Sequence, residues 1–193
     1  MDGNRRVRVG ESALMNELIQ RIRDHYVEQF KAFVALQRQE LQAGTGEVKL
    51  QLNIGEGIFR GLYCVDFLAK INGEMAVREM QPDRVLTFEP FHATLGQALF
   101  EVSNLRWDDL IVEHDLDVDV MALEDWFDAW FDPEDKRYAA GAEVSRCIHS
   151  LSVHPGKITA DLGTAPPDTL WHLMKVLLDA GATHIRISCT EGR

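Results

Sequence analysis

No stretch of the sequence approaches the run of ~20 apolar residues that a bilayer-spanning helix needs, so no membrane partner is expected. Cysteine is scarce. The three present, Cys64, Cys147 and Cys189, are far apart and odd in number, which fits a reducing cytosol better than a disulfide framework. With 14 glycines and 6 prolines and no fixed repeat, the chain is neither collagen-like nor of low complexity. Met1-Asp2-Gly3-Asn4-Arg5-Arg6 is followed by no apolar segment, so a secretory leader is not expected and the expected location is the cytoplasm.

Lysine and arginine are absent from residues 108–135. That segment holds twelve acids: Asp108, Asp109, Glu113, Asp115, Asp117, Asp119, Glu124, Asp125, Asp128, Asp132, Glu134 and Asp135. It leaves 19 acids against 20 bases elsewhere, so it accounts for the whole net charge of −11. The remainder has no basic excess to hold a phosphate backbone, and direct nucleic-acid binding is not expected.

With 46% apolar and 26% charged residues, 193 residues suffice for a core that buries roughly 70% of the unfolded surface. Ser12 is a candidate helix cap. Leu14, Leu18, Ile22, Tyr26, Phe30, Phe33, Val34 and Leu41 then recur mostly at three- and four-residue steps, predicting a helix to about Ala43. Such a helix is longer than a compact domain of this size needs. Either it breaks near Gln29 or part of its stripe meets a second copy, giving a homodimer through Leu14, Leu18 and Ile22.

Val48–Ile54 and Phe59–Ile71 alternate with period two, and Asn72-Gly73 turns the second run into Glu74–Met80. A three-residue loop would set Asp66 against Arg78 and Lys70 against Glu74. A two-residue turn would set Asp66 against Glu79. Charge and apolar pattern favour the former. Arg84–Glu89 completes a four-strand meander. Residues 91–99 could be helix, whereas Phe100–Val102 and Leu110–Val112 resemble strands. Leu123, Trp126, Phe127 and Trp130 have helical spacing, and Asp132-Pro133 resembles the start of a second short helix.

The chain closes as β-β-α-β: Ser145–Val153, a turn at His154–Lys157, Ile158–Leu162, a helix bearing Leu170, Leu173, Met174 and Leu177, and a strand with Ile185 and Ile187. The fold class is α+β, with a long N-terminal helix, an antiparallel meander, an acidic aromatic helical segment and this unit. It is read as one domain over 1–193, with a possible sub-boundary near 138–143.

Motifs for chemistry are sparse. Gly44-x-Gly46 and Gly55-x-Gly57 lack the third glycine of the dinucleotide fingerprint, and there is no phosphate loop or nucleophile elbow. Asp115-x-Asp117-x-Asp119 has Val120 and Trp126 where a calcium loop needs glycine and glutamate. The histidines form no H-E-x-x-H or paired Cys/His spacing. No catalytic, metal or cofactor residue is therefore assigned. The cysteines read as structural thiols, and His149 as a core histidine on an apolar strand face.

What remains is the acidic segment. Trp126 and Trp130 as anchors, with Asp125 and Asp128 beside them, suit a basic polypeptide partner. The expected function is a non-catalytic protein-binding or regulatory module. The alternatives are a small enzyme or ligand-binding protein with a site assembled from distant residues, and an acidic decoy that mimics nucleic acid.

Overall fold

The computed structural model describes residues 9–41, 43–53, 57–95, 97–116, 123–137 and 141–190. The fold is α+β, with nine strands in two sheets and three α-helices among the described residues. None of those helices is long and apolar enough to cross a membrane. Residues 138–140, within the stretch where a sub-boundary is expected, lie outside the described residues.

Helix α1 spans Val9–Glu40, 32 residues without a break at Gln29, and Ser12 lies inside it rather than capping it. Met15, Ile19, Ile22, Tyr26, Phe30 and Val34 form its buried stripe. Of the residues expected to pair two copies, Ile22 belongs to this core, Leu18 is half-buried and Leu14 is exposed. Most of the stripe thus packs into the protein's own core, Ile22 included.

The first sheet is β1 (Gly44–Gln51), β2 (Leu62–Ile71) and β3 (Glu74–Arg78), in that order and antiparallel. Its register corrects the sequence expectation. Ile71 pairs with Glu74, Lys70 with Met75 and Phe67 with Arg78, so the next position sets Asp66 against Glu79. Both turn residues are left-handed, Asn72 at φ 52° and Gly73 at φ 91°, which is the two-residue turn whose twist matches its strands. Local turn chemistry prevails because β3 buries no face: Met75 and Val77 are 63% and 43% exposed. The two acids are accommodated by donors. Tyr63 Oη donates to Glu79 Oε1 at 2.7 Å, and Met80 N to Asp66 Oδ2 at 2.7 Å.

The fourth meander strand does not form. Residues 83–84 instead lie against α1, where Gln29 Oε1 accepts from the amides of Asp83 and Arg84. Residues 91–102, in part a candidate helix, are the hairpin β4 (Phe91–Leu95) and β5 (Ala98–Val102).

The second sheet adds β6 (Leu110–His114), β7 (Ser150–His154), β8 (Lys157–Asp161) and β9 (His184–Ser188) in the order β4-β5-β9-β6-β8-β7. Phe100, Leu110, Val112, Ile158, Ala160, Ile185 and Ile187 face inward, as period two requires, while Glu101, Glu113 and Arg186 face outward. The predicted β-β-α-β unit is present. Its helix α3 (Asp168–Asp179) buries Leu170, Leu173, Met174 and Leu177. Strand β6 lies between β8 and β9.

Helix α2 spans Glu124–Phe131. Among the described residues 133–137 the expected second short helix is not formed. Asp132 is a left-handed C-cap at φ 52°, and its carboxylate accepts from the amides of Lys136 and Arg137, folding that segment into turns. Buried side chains of α1, β2, α2, α3 and the second sheet form one continuous core.

Candidate functional site: a buried polar cluster at the seam between the sheets

Residues 145–149 lead into β7, and the chain pairs as a strand only from Ser150 onward. Before that point the backbone serves both sheets. His149 N donates to Asp161 O at 2.9 Å in one sheet, and Cys64 N donates to His149 O at 2.8 Å from the other. Side chains from β1, β2, β8 and the loop before α3 therefore converge on the His149 ring.

Three carboxylates surround it. Glu47 Oε1 lies 3.1 Å from Nε2, Asp66 Oδ1 lies 3.0 Å from Nδ1, and Asp161 Oδ2 lies 3.8 Å from Nδ1. The His149, Glu47 and Asp66 side chains are 2%, 4% and 7% exposed, while Asp161 keeps 28%. Phe30 meets the ring edge-on at 5.6 Å. Gly163 covers it so closely that a Cβ there would stand 2.2 Å from ring Cδ2, and the backbone is left-handed at φ 51°, so only glycine fits. Glu47 (φ 51°) and Arg146 (φ 61°) are left-handed without being glycine. Such backbone costs about 1–3 kcal/mol per residue and concentrates at functional sites.

The carboxylates are hydrogen-bonded, as burial demands. Glu47 accepts from Thr164 Oγ1 and from Ser145 N at 2.6 Å. Asp161 accepts from Gly163 N at 2.8 Å. Loss of hydration disfavours charge on His149, but Asp161, Asp66 and Glu47 outweigh it and hold its pKa well above the ordinary value. Loss of hydration likewise raises Glu47, yet His149, Thr164 and Ser145 bring it below the usual range. Asp161 is pushed up to about 7, first by loss of hydration, with Asp66 adding to the rise and His149 opposing it.

Two thiols adjoin the same ring. Cys64 and Cys147 are each 1% exposed, and their sulfurs and a ring nitrogen of His149 all lie within 4.8 Å of one another. A hydrogen bond from Cys64 lowers Cys147 to about 7, and the same bond raises Cys64. On the outer side of Glu47 a cleft of about 330 Å³ opens between α1, β1 and residues 142–145, bordered by Val34, Arg38, Lys49 and Ser145.

The residues expected to form a partner site lie elsewhere. Trp126 is fully buried and donates Nε1 to Thr169 O at 3.0 Å, so it is a core residue and not an anchor. Phe127 and Phe131 stack at 4.9 Å inside the same core. Trp126, Phe127 and Phe131 are all buried because α2 is covered on more than one side. Trp130 is half-buried, with Nε1 on His172 Nδ1 at 3.0 Å and Arg137 over its ring. Asp125 is exposed, whereas Asp128 pairs with Arg60.

Several acids of the segment also have internal uses that the sequence does not reveal. Asp108 holds Arg106, Asp109 accepts from Thr190, Asp115 from Thr183, and Asp135 from Lys49. Residues 117–122 of the segment, Asp117 and Asp119 included, lie outside the described residues.

Sequence reading passed over Glu47, Cys64, Cys147 and Asp161 as site residues. One local signal does point to the cluster. Cys64-x-Asp66 places two polar groups on one side of a strand, and Cys147-x-His149 has the same spacing. No protein-family model, curated protein or solved structure matches the chain.

Proposed function

We propose that the protein is a ligand-binding protein with a site assembled from distant residues, and that a small polar molecule occupies the cleft beside Glu47. The observation that carries this reading is the double position of Glu47, which borders the cleft and is also a buried partner of His149. A volume of about 330 Å³ is at the small end of ligand sites. Ionised Glu47 is acceptor-only, with about four lone-pair positions. His149, Thr164 and Ser145 take three of them, so the complementary ligand presents a donor such as an amino or hydroxyl group.

The test is a ligand-observed and protein-observed NMR screen of small amines and polyols against the full chain. Binders should shift the amides of 45–48 and 142–145. Ala142→Trp, at an exposed position of the cleft wall, should abolish those shifts while leaving the fold intact. Binders that shift other regions, or shifts that survive Ala142→Trp, would refute the cleft.

A further inference from the structure

The thiol pair behind Glu47 has no part in the cleft reading, and it carries an inference that stands independently of it. The geometry starts with two short segments. Cys64 and Asp66 are two apart on β2 and so project to one side of it, and Cys147 and His149 are two apart on the seam. The bond from Cys64 N to His149 O holds the two backbones together, and the four side chains meet at one buried point.

That point has the donor set of a cation site. Two sulfurs and an imidazole nitrogen lie within 4.8 Å of one another. Around a tetrahedral zinc ion, with bonds of about 2.3 Å to sulfur and 2.0–2.1 Å to nitrogen, ligand atoms are about 3.3–3.8 Å apart. Small side-chain rotations close that difference. Sulfur and imidazole donors together select a soft divalent ion of the zinc class over calcium or magnesium.

The surroundings of the donor set are acidic. Among the described residues Glu47, Asp66 and Asp161 share one cationic ion-pair partner, His149. Three buried or half-buried acids against one base leave an excess of negative charge in a low-dielectric place, where its cost is high. A divalent ion has its two charges balanced by Cys64 and Cys147, which release their protons and bind as thiolates, and the neighbouring acids leave a carboxylate to complete the donor set.

We propose that Cys64, Cys147 and His149 bind a zinc-class divalent ion, with a carboxylate of the same cluster as the fourth ligand. His149 has a carboxylate beside each ring nitrogen, Glu47 at Nε2 and Asp66 at Nδ1. Whichever nitrogen takes the ion, the other keeps an acidic partner, the outer arrangement that orients metal-bound histidines. The ion fastens β2 of the three-stranded sheet to the seam of the six-stranded one.

The experiment uses the full-length chain, purified under reducing conditions. Metal content is measured by mass spectrometry of the elements, and the metal-free protein is titrated with Co²⁺ alone. The expected results are close to one zinc per chain and, with cobalt, an intense tetrahedral visible spectrum with sulfur-to-cobalt charge transfer. Cys64→Ser and Cys147→Ser should each weaken zinc binding by at least about tenfold, and Asp66→Asn by about 10–100-fold. Cys189→Ser, outside the cluster, should retain it. Should the cysteine variants fail to fold, the cobalt spectrum of the unmutated chain decides alone. A chain that takes up no Co²⁺ or Zn²⁺, a weak octahedral spectrum without charge transfer, or a Cys64–Cys147 disulfide whose reduced form binds no metal would each overturn the proposal. Ala142→Trp separates the two readings: it blocks the cleft and leaves the cobalt spectrum unchanged.

Discussion

Cys64 N–H donates to the carbonyl of His149 at 2.8 Å, and this bond connects β2 of the three-stranded sheet to the seam of the six-stranded one. The polar cluster lies directly on that junction. Perturbing the cluster therefore perturbs how the sheets meet, which makes stability a direct readout of its packing.

Gly163 is the sharpest steric test. An alanine there meets His149 Cδ2 at 2.2 Å and must adopt φ 51°. Left-handed backbone costs about 1–2 kcal/mol and overpacking about 1–3 kcal/mol. Gly163→Ala should lower the unfolding free energy by about 2–5 kcal/mol in urea denaturation. A change below about 0.5 kcal/mol would mean that the ring is free to move away.

Asp115 ties the end of β6 to the start of β9. The Thr183 hydroxyl, and to a lesser degree neighbouring backbone amides, lower its pKa to about 2. A carboxyl with a lower pKa in the fold than in the unfolded chain stabilises the fold above its unfolded value of about 4. That contribution is lost as pH falls from about 4 through about 2. Wild type should exceed Asp115→Asn in melting temperature at pH 6, and the two should converge by pH 2. A pH-independent gap would show that the charge is not what matters.

The two tryptophans of α2 should separate in stability. Trp126 is wholly buried with its indole N–H bonded to Thr169 O, so Trp126→Ala should cost about 3–5 kcal/mol. Trp130 keeps an accessible face, and Trp130→Ala should cost less than about 2 kcal/mol. Chemical denaturation of both variants checks the order, and equal losses would contradict it.

On α1, Leu14 is 67% exposed and Ile22 is 5% exposed. Leu14→Glu should leave the unfolding free energy within about 0.5 kcal/mol of wild type. Ile22→Glu places an unpaired carboxylate in the core and should cost more than about 3 kcal/mol. Sedimentation of Leu14→Glu beside wild type also tests self-association through the helix tip, since a lower mass for the variant alone would require a second copy at Leu14.

The sequence by itself determined the elements whose pattern repeats locally. The stripe of α1, the alternation of β2, the β7–β8 hairpin with Val153 opposite Ile158, and the buried face of α3 all follow from side-chain period, because burial of one face selects a period of 3.6 or 2. Where no face is buried, the pattern misleads. In β3 the Asn72-Gly73 turn set the register, and at 83–84 the bonds to Gln29 replaced a strand. Only the tertiary structure decided the cluster. Glu47 and His149 are 102 positions apart, and Glu47 and Thr164 are 117 apart. Their meeting depends on how two sheets join at one carbonyl, and no local period encodes that. The tertiary structure likewise placed Trp126 inside and gave several acids of 108–135 internal partners. Charge and aromatic spacing describe what a segment offers, but its surroundings decide which of those groups reach solvent.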